Sequence, residues 1–204
     1  MSRKEQEEVQ AFVEDQLHKG YIWPSKLLQI SLVYFVAKKD GKQWIVQDYR
    51  HVNQWTIKNR YLLPLIANIL DRVKSKKLFT KLDLRWGYNN IRIKEGDEWK
   101  AAFTIHIRVY EPTVMYFRLT NSPATFQTIM NNLFWDMINQ RTIATFIDDI
   151  IIATEIEEGY NEVVEEVLKW LEESNLFVKP EKCKWKVKEV EFLEVVIRLK
   201  GVEI

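Results

Sequence analysis

Three aspartates carry the chemistry this chain could perform. Two are adjacent, in Thr145-Phe146-Ile147-Asp148-Asp149-Ile150-Ile151-Ile152-Ala153-Thr154, between β-branched and aromatic runs that read as buried strands. The acidic pair falls where a hairpin would turn. Neighbouring carboxylates in apolar surroundings are costly unless something neutralises them. A hard divalent cation does so through oxygen ligands. The plain alternative is an Asp-Asp turn with no ligand, since aspartate favours turns. The third acid, Asp83, ends a strand-like stretch, Leu78 to Leu82, and alone it is equally a strand-terminal turn residue. An antiparallel sheet can set that strand end beside the 145–154 hairpin. Three converging carboxylates could then hold two divalent ions about 4 Å apart, an arrangement suited to in-line phosphoryl displacement. Mg²⁺ fits such a site, with one or two carboxylates per ion plus phosphates and water.

The elements that must position these acids follow from pattern. A capping-box spacing at Ser2 to Glu5, then Val9, Phe12, Val13 and Leu17, predicts a helix over about residues 4–19, closed by Gly20. Trp23-Pro24 breaks the pattern. Ile30 to Ala37 reads as a strand, Lys38 to Lys42 as a basic hairpin turn, and Trp44 to Gln47 as the returning strand. Asp48 to Asn53 reads as a polar turn. A short helix follows Pro64, and Leu78 to Leu82 is a strand. Strands are expected at 90–93, 101–105 and 113–119. Asn121-Ser122-Pro123 starts a helix that runs through Met137, and a second spans about 156–174. Closing strands are expected at 176–178, 185–187 and 190–199. Strands interrupted by helices, with several hairpins, indicate an α+β fold.

Composition sets limits. The chain has 204 residues, 47% of them apolar, enough for one or two domains with a real core. Net charge is +1, so any basic surface must come from local clustering. Aromatic content of 13% allows base stacking, although most rings will be core. The single cysteine, Cys183, excludes an internal disulfide framework and fits a reducing compartment. No apolar run approaches a membrane span, and the charged N-terminus lacks a signal-peptide core. The expectation is a soluble intracellular protein with no membrane partner, its cytoplasmic or nuclear placement open.

Several stretches resemble the reverse transcriptases of retroelements. Lys81-Leu82-Asp83-Leu84 with Gly87-Tyr88 resembles polymerase motif A, Leu119 to Gln127 motif B, and Phe146-Ile147-Asp148-Asp149 the aromatic-x-Asp-Asp box of motif C. Residues around Glu189 to Leu193 are similar to the segment leading into the primer grip. Gln47 to Arg50 and Thr56 to Tyr61 resemble the fingers of the gypsy (Ty3) class of LTR retrotransposons. The likeness covers essentially the whole chain, in the family's order. It implies the fingers and palm of a right-hand polymerase, with fingers-type residues 1–77, including part of the palm helix layer, and palm residues 78–204. The implied activity is RNA-directed DNA polymerisation, adding dNTPs to a primer 3′-hydroxyl on an RNA or DNA template.

The same resemblance implies residue roles. Asp83, Asp148 and Asp149 are the catalytic, metal-binding triad for two Mg²⁺ ions, with Mn²⁺ as a substitute. Tyr88 is the steric gate against a ribose hydroxyl, or else a core tyrosine. Phe117 and Gln127 lie near nucleotide and template, Gln127 being equally a solvated helix residue. Lys38 and Lys39, with Lys42, meet triphosphate oxygens or form a solvated turn. Arg50, Lys58 and Arg60 contact nucleic-acid backbone. Polyprotein partners would be protease, ribonuclease H and integrase domains; none follows here, nor does a thumb or connection.

The chain also departs from the family pattern. Before motif B the usual Met-Pro-Phe-Gly-Leu is Met115-Tyr116-Phe117-Arg118-Leu119, and the usual Phe-Leu-Gly is Phe192-Leu193-Glu194. Arg108 stands where glycine is common, and Trp23, Leu27-Leu28 and Leu62 where Arg, Ser-Pro and Pro are common. The strand at 42–46 is one residue short and lacks the arginine expected at the triphosphate; Trp44 or Ile45 takes its neighbourhood. Most of these changes fit single transitions, the mark expected of a decaying element copy. Two rivals to the enzyme therefore stand: a catalytically inactive nucleic-acid-binding remnant, and a structural module whose acids are turn residues.

Overall fold

The structure, a computed structural model, describes residues 3–27, 31–37, 43–105, 108–198 and 201–203. In chain order the elements are α1 (Arg3–His18), β1 (Ile22–Ser25), β2 (Val33–Ala37), β3 (Gln43–Gln47), α2 (Arg50–Trp55), α3 (Ile66–Val73), β4 (Leu78–Asp83), β5 (Phe103–Ile105) and β6 (Arg108–Pro112). Then come α4 (Ser122–Leu133), α5 (Trp135–Asn139), β7 (Ile143–Phe146), β8 (Asp149–Thr154), α6 (Tyr160–Glu173), β9 (Lys184–Val187), β10 (Glu189–Phe192), β11 (Val195–Arg198) and β12 (Gly201–Glu203). The class is α+β, as the alternation of hairpins and helices implied. Among the described residues no helix is long and apolar enough to cross a membrane.

The chain forms two compact units that interleave: Met1–Lys58 with Tyr88–Ser122, and Asn59–Gly87 with Pro123–Ile204. The first is built on α1, whose Val9 and Val13 are buried with Ile22, Tyr49, Phe103, Tyr110 and Tyr116. Gly20, at φ +68, lets the chain reverse so that the Tyr21 N–H reaches the Gln16 carbonyl at 3.0 Å and closes the helix end. Strand β1 was not expected, because Pro24 lies within it. It is the edge strand of the sheet β1-β6-β5, where a missing N–H is tolerated. β2 and β3 form the expected antiparallel hairpin; the basic turn between them lies outside the described residues.

The second unit centres on the four-stranded sheet β7-β8-β4-β9. β8 is interior, and Ile150, Ile151, Ile152 and Ala153 are all fully buried, as a continuous apolar run requires. Ile151 and Ala153 face the cluster of Ile69, Val73, Phe79, Val190, Phe192 and Ile197. Thr80, on the alternate face of β4, hydrogen-bonds the Tyr160 hydroxyl at the start of α6. The helix thus covers the opposite side.

Several local expectations are corrected. Residues 50–55 are a helix, not a turn; six residues are too short for a helical period to show in the pattern. Residues 87–90 form a 3₁₀ turn, and only an isolated Arg92–Val114 bridge stands where two strands were expected. Val178 likewise makes only an isolated bridge, to Leu84. The long helix after Pro123 breaks at Phe134, whose φ of −109° and ψ of 22° are not helical, into α4 and α5. The last expected strand is a hairpin, β10–β11, which turns at Leu193-Glu194.

Candidate active site

β4 and β8 pair antiparallel over six positions, from Leu78 opposite Thr154 to Asp83 opposite Asp149. The β7–β8 hairpin closes with Phe146 opposite Asp149, leaving Ile147 and Asp148 as its two turn residues. Asp83 and Asp149 therefore face each other across one ladder rung, with Asp148 at the adjoining turn. Distance along the chain is overcome by strand pairing driven by the buried isoleucines. The Leu84 N–H donates to the Asp148 carbonyl at 3.3 Å, fixing the turn against the end of β4. Gly87 lies close as well: a Cβ built there would stand 3.4 Å from Asp148 Cβ.

The electrostatics are mixed. Burial pushes the Asp148 carboxyl above the ordinary range, its own backbone hydrogen bond pulls it down, and the negative charges of Asp149 and Asp83 raise it further. Asp83 and Asp149 are neutralised by lysines. Lys179 Nζ is 3.2 Å from Asp83 Oδ1, Lys182 Nζ 3.4 Å from Asp83 Oδ2, and Lys81 Nζ 3.4 Å from Asp149 Oδ1. Lys179 reaches ion-pair distance without hydrogen-bond geometry, so the buried Oδ1 has no hydrogen-bond partner. The donor chemistry suits a hard divalent ion, with carboxylate oxygens and one of them short of a bond. As placed, however, no three acidic, histidine or cysteine side chains among the described residues converge on one metal position.

Gln127 is fully buried on α4 rather than solvated. Its Nε2 donates to Thr145 Oγ1 at 3.0 Å, Thr145 O at 3.2 Å and Asn131 Oδ1 at 2.8 Å, and its Oε1 accepts the Ile147 N–H at 2.7 Å. These bonds tie α4 to the turn that carries Asp148. Ile147 needs the tie: it sits at φ +56, a costly region for a β-branched residue but one that tight hairpin turns require.

In the first unit, Tyr88 and the half-exposed Phe117 stack with ring centroids 6.3 Å apart, and Phe117 stacks on Trp44 at 6.0 Å. Arg118 holds φ +75, and its guanidinium lies 5.2 Å from the centre of the Tyr34 ring. Asn53, which sequence reasoning did not single out, grips this stretch. Its Nδ2 donates to Arg118 O at 2.7 Å and its Oδ1 accepts the Thr120 N–H at 2.8 Å. No local pattern marks such a long-range amide clamp. Arg50 spends its guanidinium on Asp48, through Nε at 2.8 Å and Nη2 at 2.6 Å. That partner lowers the Asp48 carboxyl to about 2. Lys58 and Arg60 are exposed in the loop after α2. Lys38 and Lys39 lie outside the described residues.

Comparison with known proteins agrees with this architecture. The profile of the family described as reverse transcriptase (RNA-dependent DNA polymerase) matches residues 36–197. The Tf2-3 transposon polyprotein of Schizosaccharomyces pombe is 34% identical over 189 residues, which is 93% of this chain and 14% of that polyprotein. The Tf2-7 polyprotein of the same organism is 33% identical over the same span. The chain thus covers a small part of the length of these relatives. A foamy viral protease-reverse transcriptase in complex with an RNA/DNA hybrid superposes with TM-score 0.91 at 26% identity, covering 100% of this chain and 27% of that one. The same protein in complex with double-stranded DNA gives TM-score 0.91 at 26% identity, over 100% of this chain and 42% of that one. The architecture is that of polymerase fingers and palm. With a family match across most of its length, the chain belongs to the reverse transcriptase family.

Proposed function

We propose that this chain is the fingers-and-palm part of an RNA-directed DNA polymerase of a retrotransposon, joining dNTPs to a primer 3′-hydroxyl. The observation that carries the reading is the rung pairing of Asp83 with Asp149, with Asp148 in the adjoining turn. Asp83 and Asp148 are the main holders of two divalent ions, Mg²⁺ or Mn²⁺, and Asp149 is the more tolerant member. Such ions, when bound, activate the attacking hydroxyl and offset charge on the transferring phosphoryl group. The protein's own contribution is placement. Gln127 fixes the turn below Asp148, while Tyr88 and Phe117 offer ring faces to the sugar and base of an incoming nucleotide. Residues 1–77 act as the fingers-type region, with 59–77 adding to the palm helix layer, and 78–204 act as the palm. Template and primer, RNA or DNA, are the partners, by analogy with the foamy viral protease-reverse transcriptase in complex with an RNA/DNA hybrid and with double-stranded DNA.

A second reading, a nucleic-acid-binding remnant without catalysis, is favoured by Arg118 and Glu194. Both keep positive φ, +75 and +66, at positions where the family usually has glycine. Primer extension with Mg²⁺ separates the two. Incorporation abolished by Asp148→Asn supports the polymerase; salt-sensitive duplex binding with no incorporation by folded protein supports the remnant.

A further inference from the structure

Two of the three acids are held by lysines, and the two on Asp83 come from one turn. Lys179 precedes the 3₁₀ turn Pro180–Lys182, and its N–H donates to the Asp83 carbonyl at 2.8 Å, fastening the turn to the end of β4. On the other side, Cys183 N–H and Sγ both donate to the Lys179 carbonyl at 3.2 Å. The backbone is therefore fixed, and only the long lysine stems are free to swing. The ammonium–carboxylate distances of 3.2 and 3.4 Å are longer than a strong charge-assisted hydrogen bond. Lys182 is 58% exposed, so solvent weakens its pair. Asp148, by contrast, makes no ion pair among the described residues.

From this geometry we infer that Lys179 and Lys182 form an internal cation clamp on Asp83, which occupies the carboxylate in the absence of a divalent ion and opens when one binds. The inference rests on the metal-holding reading above. An ammonium and a divalent ion compete for the same oxygen lone pairs. The divalent ion carries twice the charge and approaches to about 2.1 Å, so it wins when present. The clamp therefore lowers ion affinity without abolishing it. Its benefit is that the acidic edge is not left with uncompensated charge when no ion is bound.

The test is a Mn²⁺ titration of the full chain, read by the paramagnetic resonance of free Mn²⁺ and by thermal melting. Four variants are compared with wild type: Lys179→Met with Lys182→Met, Lys179→Arg with Lys182→Arg, Asp83→Asn, and Lys184→Met. Lys184 is exposed and makes no ion pair among the described residues, so its variant reports the bulk effect of removing one positive charge. The methionine pair should tighten Mn²⁺ by about three- to tenfold, while the arginine pair and Lys184→Met stay near wild type. Without Mn²⁺ the methionine pair should melt below wild type, and its gain on adding Mn²⁺ should be the larger. If wild type binds Mn²⁺, Asp83→Asn loses it, and the methionine pair matches wild type or Lys184→Met, the clamp is overturned and the metal reading survives. If no variant binds Mn²⁺, the metal reading fails and the clamp with it.

Discussion

The Gln127 side-chain oxygen accepts the backbone N–H of Ile147 at 2.7 Å, one residue before Asp148. A buried amide on a helix thus holds a left-handed turn in place. Replacing Gln127 with leucine should leave the Ile147 N–H and the Thr145 hydroxyl without this partner. The expected loss is about 1–3 kcal/mol of stability, measured by urea unfolding. Gln127→Glu restores an acceptor but adds a buried charge, and should be worse than leucine. Unchanged unfolding in both variants would show that the turn holds itself.

Glu194 and Arg118 offer a comparison in which magnitudes decide. Each adopts a positive φ, costing a non-glycine residue about 1–2 kcal/mol, partly offset by the greater chain entropy that glycine loses on folding. Glu194 also lines a cavity with Asp149, Glu191 and Lys81; Lys81 is paired with Asp149, which leaves Glu191 as the like charge that removal of Glu194 relieves. Arg118 gives up its contact with the Tyr34 ring, worth about 0.5–1 kcal/mol. Glu194→Gly should therefore raise the melting temperature by about 2–4 °C, and Arg118→Gly should change it little. Calorimetry of the two variants checks the order.

The folded-state pKa of Asp148 is raised above its unfolded value, chiefly by burial. The sign follows from linkage: the stability gained by holding the proton is fully present below the unfolded pKa and is lost as pH rises through the folded one. At neutral pH the ionised carboxylate is a cost to the metal-free protein. Asp148→Asn should then melt higher than wild type at pH 7 in the presence of a chelator, with the gap closing near pH 4. A variant that melts lower at pH 7 would contradict this.

Gly87 stands against Asp148 with room for one methyl group, since a Cβ there meets Asp148 Cβ at 3.4 Å. Gly87→Ala should keep near-wild-type Mn²⁺ binding. Gly87→Val should displace the Asp148 side chain and weaken binding by about tenfold, on the order of 1.4 kcal/mol. Equal affinities would place the ion elsewhere.

Much of this site was legible in the sequence because strand pairing is written in it. The unbroken run Ile150 to Ala153 demanded an interior strand, and an interior strand needed a partner such as 78–83. What was not legible were partners distant in sequence or set by a turn. The motif resemblance put Gln127 near nucleotide and template, or else in solvent, and its buried tie to Thr145 and Ile147 showed only once those neighbours were in place. No sequence pattern singled out Lys179 and Lys182, and it is the backbone bond from Lys179 to the Asp83 carbonyl that brings their turn beside the acid. β1 was hidden by Pro24, which an edge strand accommodates, and α2 by its brevity.

The central claim is that Asp83, Asp148 and Asp149 hold divalent ions at the end of β4 and β8. Crystals of the chain soaked in Mn²⁺ and measured for anomalous scattering test it most directly. The account predicts density within coordination distance of Asp83 and Asp148 carboxylate oxygens, with the lysine stems of 179 and 182 swung away. Density confined to other acidic patches, with Asp83 still held by both lysines at saturating Mn²⁺, would contradict it.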